Sequence, residues 1–390
     1  MLERLGPGAP IWAMGMMSGT AMDGVDAAFL LTDGETIAAF GPSAFQPYAL
    51  REAKSLLLGL QAVGGADTAT LRAPARWPLA LRAAAATATE TDARAAEALA
   101  ARRAPALIGF HGQTLAHRPA EGFTLQVGSP ARLAARLGAP VAGDFRSADM
   151  AAGGEGAPLV PVYHRALAER LGETGPVCFL NIGGVANLTY VDLSGDVLIA
   201  CDTGPGNALI NDWMAAATGA AHDEGGAAAL TGRADADLVA EWLSDPFFAA
   251  PPPKSLDRDR FKSALDRLDG AAVADGAATL TAYTVEAVGR AAAFLPKQPE
   301  RWLVCGGGRK NGAILEGLAR RLNGGVAPIE AAGLDGDMLE AQAFAFLAVR
   351  AARGLPTTFP ETTGCRAPVS GGTLHAPEGG ALSPAAHPPR

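Results

Sequence analysis

Two short apolar runs separated by a turn of small and acidic residues constrain this chain more than any other feature. IWAMGMM (11–17) and VDAAFLLT (25–32) flank SGTAMDG, the pattern of a β-hairpin whose turn is unusually rich in Gly, Ser and Asp. The plan recurs: PVCFLNI (176–182) and VANLTYVD (185–192) flank Gly183-Gly184, and DVLIAC (196–201) adds a third strand. In the first half PALIGF (105–110) runs into a turn, HGQT; in the second, RWLVC (301–305) runs into GGGRKN and then the helical pattern GAILEGLARRLN. Matching hairpin-plus-strand sets predict a duplicated α/β architecture, two similar lobes of mixed sheet flanked by helices.

Between these strands, Leu50 to Val63 and the Ala-rich Leu79 to Arg103 carry apolar residues at helical spacing. FTLQV (123–127) and APVAGDF (139–145) read as further strands of the first lobe. A chain of 390 residues exceeds what one core supports. The expected division is a first lobe over 1–145, joined by the C-terminal segment 354–375, and a second lobe over 146–353. A Pro/Gly/Ala-rich tail over 376–390 is expected to be disordered.

The net charge of −8 argues against nucleic acid and anionic membranes as partners, so a phosphate site has to be built from backbone N–H groups and single cations. There is no apolar run of bilayer length, and MLERLGPGAPIWAMGMMSG lacks the regions of a signal peptide, so a cytoplasmic location is expected. Cys178, Cys201, Cys305 and Cys365 form no CxxC pair and read as reduced thiols, the first three in buried strands. The six histidines show no HxxxH or HExxH spacing, so no protein-ligated metal is expected.

Three turns could carry chemistry. Ser18 to Gly24 offers successive N–H donors, two hydroxyls and a carboxylate, and reads either as a nest for phosphate with Mg²⁺ or as an ordinary hairpin turn; Asp26 adds a second acid. Asp202-Thr203-Gly204-Pro205-Gly206-Asn207 joins a strand to a helix, and Asp202 is there either a general base or part of a helix N-cap. Gly306 to Asn311 also follows a strand and opens a helix, favouring an anion or nucleotide. Neither GxxxxGK[ST] nor GxGxxG is present, which disfavours P-loop and Rossmann classes.

From about Met14 to Ala376 the chain resembles the anhydro-N-acetylmuramic acid kinase family. The resemblance is carried by MSGTAMDGVD (17–26), FHGQT (110–114), GDFRSADMAAGGEGAPLVPVYH (143–164), NIGGVANLT (181–189), CDTGPGNALIND (201–212), DEGG (223–226), CGGGRKN (305–311) and LDGDMLEAQAFAFLA (334–348). It implies an actin/Hsp70-like sugar-kinase fold holding ATP between its lobes. It also implies Mg²⁺, a small-molecule sugar substrate, cell-wall recycling and a homodimer.

The implied catalytic base is Asp202. The implied nucleotide-binding residues are Gly19, Thr20, Ala21, Met22, Asp23, Gly24, Val25, Asp26, Gly183, Gly184, Asn207, Gly306, Gly307, Gly308 and Asn311. The implied substrate contacts are His111, Gly112, Gln113, Thr114, Arg146 and Glu340. Taken without the resemblance, Arg146 reads as a surface partner of Asp144 or Asp149, and Glu340 as an exposed helix residue. Ala21-Met22 stands where Ser-Leu is usual, Glu155 replaces a usual Gln, and KSLDRD keeps only Lys254, Ser255 and Arg258 of a KSTGRE-like stretch, which puts that loop's role in question. The competing expectations are an ordinary hexose or aminosugar kinase and a non-catalytic actin-like clamp.

Overall fold

The computed structural model describes residues 8–19, 22–257 and 260–378, and the backbone of 381–382. Thr20, Ala21, Arg258 and most of the expected disordered tail therefore lie outside the described residues. The chain divides into two compact units, one made of residues 1–170 with 338–390 and the other of 171–337. These bounds differ from the expected lobes: 146–170 and 338–353, placed in the second lobe from sequence, pack with the first unit.

In the first unit, β1 (Ile11–Ser18), β2 (Gly24–Thr32) and β3 (Ile37–Pro47) form an antiparallel meander. After helices α1 (Leu50–Gly64) and α2 (Leu79–Ala100), β4 (Leu107–Arg118) lies parallel to β1, with antiparallel β5 (Phe123–Val127) paired to it. Strand β6 (Val141–Gly143) then runs parallel to β4. Met14, Met16, Val25, Ala27 and Phe29 alternate onto the face covered by Ala93, Ala96 and Leu99 of α2. The opposite face is covered by the helix Leu339–Ala352, which is apolar on nearly every side and correspondingly buried. It approaches so closely that a Cβ on Gly15 would sit 1.8 Å from Ala341 O, and one on Gly109 would sit 2.0 Å from Phe344 O.

The second unit repeats the arrangement. Strands β7 (Val177–Ile182), β8 (Val185–Asp192) and β9 (Val197–Pro205) form the meander, and β10 (Arg301–Cys305) and β11 (Gly325–Pro328) continue in parallel on the other side of β7. The order β9-β8-β7-β10-β11 matches β3-β2-β1-β4-β6 in both neighbours and sense, which bears out the expected pair of similar α/β lobes. Helices α3 (Asn207–Thr218), α4 (Val273–Ala292) and α5 (Gly312–Arg321) complete the unit, and Tyr283 and Leu280 of α4 are central to its core. All four cysteines are buried thiols outside any disulfide. Among the described residues, no helix is long and apolar enough to cross a membrane.

Candidate functional site

HGQT is not a turn. It lies within β4, where Gly112 at φ 74° and a register shift between Met16 and Ser18 of the β1 pairing redirect the strand. This irregularity sends its side chains to separate tasks. Gln113, fully buried, donates from Nε2 to Gly19 O at 3.1 Å, supporting the hairpin turn, and Thr114 Oγ1 accepts from Gln126. His111 faces Arg146, with Nε2 2.9 Å from Nη2. Since a guanidinium can only donate, His111 Nε2 accepts, which requires a neutral imidazole. Burial, aided by the Arg146 charge, holds its pKa well below the usual histidine value.

Arg146 leaves β6 through Asp144, which adopts a left-handed φ of 56° and uses its carboxylate to accept from Ser147. Asp144 is therefore no surface partner for Arg146. The guanidinium instead donates to Gly156 O at 2.7 Å, with Glu340 and Asp149 as the carboxylates whose charge it feels. Burial brings its pKa down to about 10, so it remains a cation at neutral pH. Glu340 is half-buried at the start of the Leu339–Ala352 helix, correcting its reading as an exposed residue; burial raises its pKa and Arg146 opposes the rise. His111, Arg146 and Glu340 are thus gathered around the aromatic step His111–Phe344–Phe145, with ring centroids 4.6 and 5.5 Å apart.

Asp149 is a residue that the sequence reading offered only as an alternative surface partner of Arg146. It is fully buried and accepts from Gly156 N at 2.7 Å, Thr358 Oγ1 at 2.5 Å and Thr363 Oγ1 at 2.6 Å. It thereby holds the Gly153-Gly154-Glu155-Gly156 loop whose carbonyl receives Arg146. An acid in a Gly-rich stretch was the available signal.

At the β1–β2 turn, Met22 has φ 52° and donates its N–H to Gly19 O, while Asp23 is exposed and offers its carbonyl to Tyr48 N at 2.9 Å. Gly24 lies against Phe45, where a Cβ would clash, and the Asp26 side chain is half-buried. Val25 turns its side chain into the core, so only its backbone faces the turn.

In the second unit, three glycine turns interlock. Gly183 O accepts from Asn207 N, Gly184 O accepts from Gly206 N, and Asn207 Nδ2 donates to Ile182 O at 2.9 Å. A Cβ on Gly206 would lie 2.4 Å from Gly183 O, one on Gly306 2.3 Å from Asn181 Oδ1, and one on Gly308 2.4 Å from Ile182. Gly307 neighbours the Asn207 amide, and Asn311 caps α5 by accepting from Ile314 N. The result is a backbone-lined cradle with two helix starts, a form suited to phosphate oxygens. Within it, Arg309 is committed to Glu330 at 2.6 Å and Asp337 at 2.8 Å, which makes it a brace.

Asp202 is not the N-cap of α3. Strand β9 continues to Pro205, and the capping position belongs to Gly206. Asn187 pairs with Asp202 and Ala186 with Gly204, leaving Thr203 as a bulge whose hydroxyl donates to Ala186 O. Bulges of this kind re-aim side chains at the ends of sheets. The loop after Pro251-Pro252-Pro253 then pairs with the strand: Asp202 N donates to Lys254 O at 2.9 Å, and Leu256 N donates to Asp202 Oδ2 at 2.7 Å. Lys254 Nζ donates to Phe247 O and lies 4.5 Å from the Phe247 ring centroid, with Asp202 among the charges it feels. The described part of the altered loop, 254–257, is therefore fixed to β9, with the Leu256 N–H on the Asp202 carboxylate.

A family model described as anhydro-N-acetylmuramic acid kinase matches residues 12–377. The chain belongs to the anhydro-N-acetylmuramic acid kinase family. Curated proteins of that name are 48% identical in Nitrobacter winogradskyi (94% of this chain, 99% of that protein), 49% in Rhodospirillum rubrum (93% and 94%) and 50% in Cereibacter sphaeroides (97% and 99%). Among solved structures, a ROK family glucokinase from Streptomyces griseus, determined with glucose and AMPPNP, aligns over 86% of this chain and 99% of its own. Its identity is 14% and its TM-score 0.37. The fold of this anhydro-N-acetylmuramic acid kinase family member therefore rests on its own strand order.

Proposed function

We propose that the chain opens the 1,6-anhydro ring of 1,6-anhydro-N-acetylmuramic acid and phosphorylates O6 with ATP, giving N-acetylmuramic acid 6-phosphate and ADP in cell-wall recycling. Family membership makes it a kinase. The observation that carries the mechanism is the Asp202 carboxylate, re-aimed by the Thr203 bulge and held by the Leu256 N–H.

The substrate has no free 6-hydroxyl, because O6 is bonded to C1. Asp202 takes a proton from water as that water attacks C1, and the C1–O6 bond breaks. O6 then attacks the γ-phosphorus and the bond to the β-phosphate bridging oxygen breaks, releasing ADP. Phosphoryl transfer depends mainly on alignment and charge stabilisation. In this reading the Gly184 and Gly306–Gly308 backbone offers N–H donors to phosphate oxygens, while the Gly206 and Asn207 N–H groups, bonded to Gly184 O and Gly183 O, fix the shape of the cradle.

Among the described residues, no group of three or more His, Cys, Asp or Glu could hold a metal. Mg²⁺ would be held through phosphate oxygens with one or two carboxylates, here Asp23 or Asp26. When bound, Mg²⁺ neutralises charge on the transferring phosphoryl group. Arg146 is a planar partner for the lactyl carboxylate, neutral His111 leaves its positive charge undiminished, and Glu340 accepts from a sugar hydroxyl.

We place the enzyme in the cytoplasm, where ATP and reduced thiols coexist, and expect a homodimer with a solution mass near twice 39.6 kDa. The test of function is ADP release on 1,6-anhydro-N-acetylmuramic acid beside N-acetylglucosamine and glucose. Turnover of the anhydro sugar alone supports the proposal. Turnover of the free sugars alone makes the enzyme an ordinary sugar kinase.

A further inference from the structure

Asp92, on α2, and Asp149 are both fully buried acids of the first unit, in opposite surroundings. Neither oxygen of Asp92 has a hydrogen-bond partner. Asp149 accepts three hydrogen bonds, one from its own loop and two from threonines 209 and 214 residues further along the chain. The Thr358 and Thr363 hydroxyls converge on Oδ1, and the Gly156 N–H donates to Oδ2. Glu155 N donates to Thr363 O at 2.8 Å, so one segment holds the 153–156 loop through both side chain and backbone. A Cβ on Gly154 would lie 2.2 Å from Asp149 Oδ2, so the loop closes over the carboxylate only with glycine there. A buried carboxylate is tolerated where donors surround it in this way, and three fixed donors also fix whatever they belong to.

Gly156 is thereby held on both sides, its N–H on Asp149 and its carbonyl on Arg146 Nη1. Arg146 Nη2 is spent on His111. Its Nε is buried and has no hydrogen-bond partner. Glu340 and Asp149 act on the guanidinium by charge, and neither comes within ion-pair distance of it. Anchored to two neutral acceptors, Arg146 keeps its charge and its Nε–H for an anion, and a carboxylate is the acceptor that a guanidinium edge matches best.

We propose that Asp149 is a positioning residue for substrate selection: with Thr358 and Thr363 it sets Gly156 O against one end of the Arg146 guanidinium, so that the Nε–H is presented to the carboxylate of an acidic sugar. The proposal rests on the reading of Arg146 as the partner of the lactyl carboxylate. Asp149 acts only through Arg146. Loss of its hold lets the guanidinium turn, which weakens recognition of the carboxylate and leaves the remaining sugar contacts in place.

The experiment measures, on the full chain, the Kd of 1,6-anhydro-N-acetylmuramic acid and of 1,6-anhydro-N-acetylglucosamine, which lacks the lactyl group. Asp149→Ala is expected to raise the Kd of the acidic sugar roughly 10- to 100-fold, the scale of a lost hydrogen bond to a charged group, and that of the neutral sugar less than about 3-fold. Asp149→Asn can turn its oxygen to Gly156 N and its amide to the threonine oxygens, so it is expected to recover most of the loss; an Asn variant as weak as the Ala variant overturns the proposal. Thr358→Val preserves volume and removes one donor, and is expected to raise the Kd of the acidic sugar about 3- to 10-fold. A purely structural brace would weaken both sugars alike. A ratio of the two Kd values equal to that of wild type therefore overturns the proposal, and Thr358→Val decides it where Asp149→Ala does not fold. Arg146→Ala separates the two readings. If it too leaves the ratio unchanged, the carboxylate reading of Arg146 has failed and the proposal falls with it. If it changes the ratio while the Asp149 and Thr358 variants do not, only the positioning by Asp149 is overturned.

Discussion

Converting Asp202 to Asn removes a proton acceptor while preserving its shape and its contact with the Leu256 N–H. With Asp202 as the base for water, kcat is expected to fall roughly 10²- to 10⁴-fold, about 3–5 kcal/mol of barrier, with ATP and sugar binding nearly intact. Steady-state kinetics with direct binding measurements check this, and a near-normal kcat removes Asp202 from catalysis. Arg146→Ala is expected to raise KM for the acidic anhydro sugar far more than for an analogue lacking the lactyl group; equal losses would exclude carboxylate recognition. Asp92 makes a prediction about stability as well. Its folded pKa of about 8 lies above the unfolded value of 3.8, so the native state holds a proton that the unfolded chain has released. Stability therefore declines as pH rises between those values. Asp92→Asn should raise Tm more at pH about 7.5 than at pH about 5, and an equal shift at both would mean that the carboxyl is already ionised. Residue chemistry of this kind was only half legible in the sequence. Asp202 stood out by its place after a strand, whereas Asp92 lies inside an Ala-rich helical run where one acid looks like solvated surface.

At the scale of elements, the loop over 251–257 shows how a weak motif gains meaning from pairing. Lys254 fixes it to Phe247, and its backbone holds Asp202. Lys254→Ala is expected to lower kcat about tenfold with little change in KM for ATP, through loosening of a hydrogen bond to a charged group worth about 1.5–3 kcal/mol; an unaltered kcat would reduce the loop to a packing role. Strand β3 was missed because it is an edge strand with mostly half-buried residues, and it carries Gly41-Pro42 at a bulge, which blurs the alternation. HGQT was misread for a related reason: Gly and polar residues suggest a turn, but pairing with β1 on one side and β5 on the other holds them in strand.

For the whole molecule, the coupled reaction fixes where oxygen goes. Water attacking C1 opposite the bridging oxygen gives the α-anomer first, with solvent oxygen at C1 and none in the transferred phosphate. Rapid NMR of early product in ¹⁸O-water, read before mutarotation and exchange, checks both, and label in the phosphate would exclude O6 as nucleophile. By itself the sequence determined the two hairpins, the glycine turns of the second unit and the family, because period-two burial and turn chemistry are local properties written residue by residue. Only the tertiary structure decided that 146–170 and 338–353 belong with the first unit, that Arg146 meets His111 rather than Asp144, and that of two buried acids Asp149 is hydrogen-bonded and Asp92 has no partner. Those facts depend on which distant segments exclude water from a given side chain, and linear spacing carries no measure of that exclusion.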